Sequence, residues 1–339
     1  MLHSNALPEL HRLQTLIQQS SHPQLSSRIL CSIDDENASW PVYAISLGNP
    51  DKTLPSITFV GGIHGLERIG TQVVLAFLET ILERLKWDRP LTDVLQLLNI
   101  HFIPLVNPVG MLRHTRSNSQ GIDLMRNAPI DSDEKTVCLA GGHRLSPLLP
   151  WYRGEENQPM QKEAQALSDF VLQELIPNPF SVVLDCHSGF GFHNHIWFPW
   201  AKSRLQPIRH LGEIFYLRQL FQQTYPYQNY RFEPQSQHYL THGDLWDYLY
   251  LQSLNSSGIF LPLTLEMGSW RWIRKNPLQL CKIQGLYHPT KPHRVNRVLR
   301  GHLVLMDFLI HATASWQHWL EQGERESMYQ QAMALWYEK

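Results

Sequence analysis

Only four cysteines occur in the 339 residues, Cys31, Cys138, Cys186 and Cys281, scattered without paired spacing. That pattern excludes a disulfide framework and a cysteine zinc site, and it suits a reducing compartment. No apolar run reaches the roughly 18 residues of a membrane span. The opening MLHSNALPELHRLQTLIQQ has neither the basic start nor the apolar centre of a secretory signal. A cytoplasmic location is therefore expected. Neither sign of charge dominates, with 29 Lys and Arg against 30 Asp and Glu, so there is no electrostatic footprint for nucleic acid or an anionic membrane. Internal repeats and low-complexity linkers are absent as well.

What is present is apolar bulk. Hydrophobic residues make up 43% and charged residues 17%, the balance of a globular chain with a substantial core. Leu10, Leu13, Leu16 and Ile17 predict a packed helix over residues 9–19, and Ile69–Leu85 is strongly amphipathic. Strand-like runs lie at Ser27–Ile33, Val42–Leu47, Ser56–Val60, Leu97–Val106, Ser181–Asp185 and Ile259–Leu265. Pro262 in the last run argues for an edge or a bulge. Further helices are expected at Gln161–Leu175, Gln206–Gln223, Gly243–Leu254 and Val295–Trp319. Residues 127–158 form a long irregular stretch, a length usually tied to function. Alternating strands and helices predict one α/β domain with a mostly parallel or mixed sheet. Within it, residues 1–50 pack on a core at 51–321, and a charged tail follows at 322–339.

Chemistry centres on the run from Phe59 to Gly70, FVGGIHGLERIG. His64 and Glu67 stand three residues apart, between an apolar strand and a helix, where both can reach one metal ion. Alone the motif is weak, because 18 histidines make a chance His-x-x-Glu expected roughly once or more. Its placement after a buried strand strengthens it, since such loops carry the sites of α/β sheets. His187 follows the strand SVVLDC and supplies a third ligand. His193 and His195 lie nearby in HNHIWFPW, an alternating strand, and are expected to be pocket or surface residues. Glu266, between Leu265 and Met267, is a poor solvated-surface carboxylate and a candidate proton acceptor. Arg113, Arg116 and Arg126 follow the Asn107-Pro108 turn. Guanidinium groups there suit an oxyanion or a substrate carboxylate.

The ordered set His64-x-x-Glu67, Asn107-Pro108-x-Gly110, Arg116-x-Asn118, Gly121-Ile122-Asp123-Leu124-x-Arg126-Asn127, His187-Ser188 and Glu266 resembles the carboxypeptidase A family of zinc peptidases. The resemblance spans about 200 residues in the right order, and two histidines with one glutamate are the known zinc set of carboxypeptidase A. It implies a single-domain α/β fold with a mixed, twisted sheet of about eight strands flanked by helices. It further implies one zinc per chain on His64, Glu67 and His187, with Glu266 as general base and acid. By the same likeness Arg116 polarises the scissile carbonyl, Asp123 orients His64, and Arg126 with Asn127 binds the substrate's terminal carboxylate. Tyr239, eight residues before Asp247, matches the family's mobile tyrosine, and Trp246 falls near its side-chain pocket.

One position departs from the pattern. Where the family usually reads Asp-Leu-Asn-Arg-Asn, this chain reads Asp123-Leu124-Met125-Arg126-Asn127. Methionine cannot donate a hydrogen bond to a carboxylate, and losing one such donor costs about 1.5–3 kcal/mol. The expected function is zinc-dependent hydrolysis of an amide bond in a peptide or acylated amino acid bearing a free carboxylate. The alternative is an N-acyl amino acid deacylase of the desuccinylase and aspartoacylase type, which shares the Gly62-x-His64-Gly65-x-Glu67 opening. A third possibility, from another class, is a catalytically silent binding protein that keeps the fold. Activity abolished by a chelator separates it from the other two.

Overall fold

Eight strands form one mixed sheet: β1 (Leu25–Asp35), β2 (Ala38–Gly48), β3 (Ser56–Gly61), β4 (Asn99–Ile103), β5 (Phe180–Ser188), β6 (Asn194–Phe198), β7 (Tyr230–Pro234) and β8 (Ile259–Met267). Their order across the sheet is β1-β2-β4-β3-β5-β8-β6-β7. The computed structural model describes residues 7–35, 38–281, 284–320 and 324–338. Strands β4, β3, β5 and β8 run parallel, whereas β1, β2 and the join of β6 to β8 are antiparallel. The central strands are buried along their whole length, which is why they read as continuous apolar runs and not as alternating ones.

Helices flank this sheet. Arg68–Arg84 packs on β3 and β5, with Pro292–Ala314 beside it. Lys162–Glu174 packs on β1 and against Leu245–Ser253, which in turn lies on β8. Because β3, β5 and β8 are parallel, the residues that end them gather at one edge. That edge carries His64, His187 and Glu266.

Several expectations change in detail. The Leu97–Val106 run is a strand only over Asn99–Ile103, because the chain then turns at Asn107, whose side chain caps the short helix Pro108–Arg113. Pro262 lies in an interior strand, not an outer one. It is tolerated because β6 pairs with β8 only at Thr264–Glu266, so β8 has no partner on that side at residue 262. The stretch read as a charged tail contains the helix Arg325–Trp336, packed on Leu211–Thr224. Trp336 is its anchor: the indole is buried, meets Phe198 at a centroid distance of 4.9 Å, and donates to the Phe232 carbonyl at 2.9 Å. Residues 321–323 lie outside the described residues.

Candidate metal centre and active site

The chain leaves β3 through Gly62, whose φ of +67° is in the left-handed region that glycine enters without strain. His64 follows, and Glu67 stands at the N-cap position of the helix Arg68–Arg84. Two glycines let backbones touch here. A Cβ at Gly65 would collide with the Gly110 main chain, and one at Gly70 with the carbonyl oxygen of Cys186. The His64–Glu67 turn is thereby held against β5, the strand that carries His187.

The three side chains converge. His64 Nδ1 lies 2.8 Å from Glu67 Oε1, and His187 Nδ1 lies 2.9 Å from Glu67 Oε2. One donor atom from each residue falls within 4.8 Å of the others, and all three residues are buried. The far nitrogens are fixed by carboxylates: His64 Nε2 is 3.0 Å from Asp123 Oδ1, and His187 Nε2 is 2.6 Å from Asp185 Oδ2. Imidazoles oriented in this way, with both Nδ1 atoms turned toward one carboxylate, are what a zinc site requires. Burial would raise the Glu67 pKa, but the two imidazoles outweigh it and hold the carboxyl below its usual range. Asp123 is likewise buried yet lowered, by Arg116 and then by His64. The donor set therefore fits a divalent metal of the zinc type.

Glu266 stands beside this centre. In the sheet register it is directly opposite His187 on β5 and His195 on β6. Its Oε2 is buried with no hydrogen-bond partner among the described residues. Burial, and then the Glu67 charge, push its pKa above the usual carboxylate range. Arg116 is anchored by Nε to Asp123 at 2.8 Å and by Nη1 to Glu67 at 3.3 Å. Its Nη2 makes no hydrogen bond among the described residues, so it is left to donate. The Tyr239 hydroxyl lies among Arg126, Glu266 and Arg116, whose charges act on its pKa after burial has raised it. Arg126 is buried with Nε unpartnered, 3.8 Å from Asp244 and 6.0 Å from the Tyr239 ring.

Other expected contacts are placed elsewhere. Arg113 points away to Asp35 at 2.5 Å. Both ends of Asn127 are spoken for: Nδ2 donates to the Arg153 carbonyl at 3.0 Å, and Oδ1 accepts from the Gln161 amide at 2.5 Å. It fastens the 127–158 loop and is not free for a substrate carboxylate. Trp246 is buried in the core and does not wall an open pocket. Its indole N–H donates to Asp185 Oδ2 at 2.8 Å, the same oxygen that holds His187. Trp246→Phe keeps an aromatic side chain, smaller than the indole, and removes this donor. Zinc affinity is expected to fall roughly 10- to 100-fold, as read by competition with a chromogenic chelator. Unchanged affinity would show that Asp185 holds His187 unaided.

Two neighbours belong to the site besides the residues singled out in the sequence. Asp185 was legible, because two residues before His187 on a strand is the same face. Tyr287 had no such signal. It packs over Gly189, and its pKa, raised by burial, also feels Arg116, Glu67 and Glu266.

Comparison with known proteins agrees with this geometry. Residues 19–269 match the family model of zinc carboxypeptidases. Carboxypeptidase E of Caenorhabditis elegans is 27% identical over 161 residues, which is 43% of this chain and 33% of that protein. The chain thus matches only about a third of that relative's length. The structure of thrombin-activatable fibrinolysis inhibitor superposes with a TM-score of 0.63 at 18% identity, covering 89% of this chain and 72% of that one. Carboxypeptidase A from Helicoverpa armigera gives 0.65 at 14% identity, with 89% and 71% covered. These likenesses establish the fold, and the match over residues 19–269 places the chain in the zinc carboxypeptidase family, whose metal is Zn2+.

Proposed function

We propose that the protein hydrolyses the amide bond next to a free carboxylate in a peptide or acylated amino acid. The observation that carries this proposal is the convergence of His64, Glu67 and His187 beside the unpartnered Glu266 carboxylate. Bound zinc supplies Lewis acidity toward the carbonyl and toward water. Glu266 takes a proton from the attacking water and returns it to the leaving amine. Arg116, fixed on two sides by Asp123 and Glu67, presents Nη2 to the oxygen on which charge develops. Arg126 receives the substrate carboxylate, and Tyr239 closes over the same space. Four free cysteines support a reducing, cytoplasmic setting.

The deacylase alternative is favoured by Met125, whose side chain is buried in the core and offers no donor beside Arg126. Unblocked dipeptides and longer peptides, their C-terminally amidated forms and N-acyl amino acids distinguish the possibilities. Chelator-sensitive release of the C-terminal residue from unblocked peptides is expected. Turnover of N-acyl amino acids alone would favour the deacylase, and no turnover by the zinc-loaded protein would overturn both. Arg126→Ala is expected to lower kcat/KM for free-carboxylate substrates roughly 10- to 100-fold, the worth of a charge-assisted hydrogen bond. An equal loss on an amidated substrate would remove Arg126 from that role.

A further inference from the structure

Apart from the centre described above, the described residues assemble one other trio of metal-ligating side chains: His195, Glu233 and His238. His195 is buried on β6, Glu233 stands on β7, and His238 follows the turn Gln235–Gln237. The parallel β6–β7 register puts His195 opposite Arg231, so Glu233, two residues on, projects from the same face. One donor atom from each of the three lies within 4.8 Å of the others. His195 Nδ1 and His238 Nε2 both meet the same oxygen, Glu233 Oε1, the second at 2.9 Å.

We propose that His195, Glu233 and His238 form a second site for a divalent transition metal. Both imidazole nitrogens meet Glu233 Oε1, and among the described residues Oε2 has no hydrogen-bond partner, which leaves it open to an ion. The His64–Glu67–His187 centre likewise gathers two imidazoles on one glutamate, there on separate oxygens. Two nitrogens and a carboxylate suit zinc, cobalt, nickel or copper, whereas calcium and magnesium prefer an all-oxygen shell. The rings of Phe190 and Trp197 stand 5.8 Å from His195 and 5.2 Å from His238, an apolar wall of the kind that restricts water around a metal.

The site has a defined place relative to the first. Glu266 lies between the two, opposite His187 on one side and His195 on the other. His238 directly precedes Tyr239, so an ion here ties the segment bearing that tyrosine to β6 and β7.

Metal counting tests the site without recourse to catalysis. Full-length protein is stripped with chelator, dialysed against zinc and freed of unbound metal, and the bound zinc is measured by mass spectrometry. Two zincs per chain are expected for the wild type and one for His238→Ala, Glu233→Gln or His64→Ala. The His64→Ala/His238→Ala double variant should bind none. A wild-type count of one overturns the proposal, as does a count of two kept by either His238→Ala or Glu233→Gln. The conservative Glu233→Gln change decides the matter if circular dichroism shows that His238→Ala is misfolded. Loss of zinc in His64→Ala alone reports on the first centre and leaves the second to be judged separately.

Discussion

Glu266→Gln is expected to keep its zinc and lose turnover roughly a hundred- to ten-thousand-fold, the range that a positioned general base contributes. The side chain is buried between two strands, and glutamine has the same shape, so the fold and the neighbouring His187 should be undisturbed. What changes is proton acceptance. A carboxylate buried away from water and beside Glu67 grips a proton more tightly than one in water. A dication on Glu67 acts in the opposite sense, so the metal-loaded enzyme should titrate below the metal-free protein. In the metal-loaded enzyme the ionised form is the active base, so kcat/KM falls as pH drops through this group's pKa. Metal content, kcat and the pH profile together check the assignment. A variant with full zinc and near wild-type turnover, or one retaining the same acid limb, would remove Glu266 from the role.

Acid should also weaken the fold before its carboxylates are neutralised. His101 on β4 and His302 in the Pro292–Ala314 helix are fully buried, and burial depresses both to about 3. His101 Nδ1 meets the Ser46 hydroxyl at 2.8 Å, while its Nε2 is buried without a partner. His302 Nδ1 meets the Tyr230 hydroxyl at 2.8 Å. Unfolded, each takes up a proton near 6.5; folded, neither does until near 3. Their stabilisation is therefore complete above the unfolded value and lost as pH falls toward the folded one. At about pH 5 each has forfeited about 2 kcal/mol, hence about 4 kcal/mol for the pair, a large part of a typical 5–15 kcal/mol. Urea unfolding of wild type and His302→Phe at about pH 7.5 and about pH 5 isolates one histidine from any release of zinc. The variant should lose about 2 kcal/mol less than the wild type across that interval. Equal losses would show that His302 is not the source.

The parts of the site that could be read in advance are those written locally. His64 and Glu67 share one turn, and His187 and Glu266 each end an apolar run, so strand and spacing were enough. Trp246 and Asn127 were misassigned because their partners, Asp185 and Gln161, come from other elements that only folding brings close. β7 escaped because YRFEP is short, lies at the sheet's edge and mixes an exposed Arg231 with buried rings. The helix over Arg325–Trp336 escaped for a related reason. It follows a charged run, and the surface that orders it is supplied by Phe198 and Phe232 of β6 and β7 and by Phe215 of the Leu211–Thr224 helix, all distant in sequence.

The glycine contacts at Gly65 and Gly70 have a thermodynamic corollary. Main chain resting on main chain leaves the His64–Glu67 turn and β5 almost no slack, so the donor triangle is set when the protein folds. Zinc then enters a cage that needs no loop to order around it. Calorimetric titration should register association with little change in heat capacity, the signature of an ion meeting a surface that was already in place.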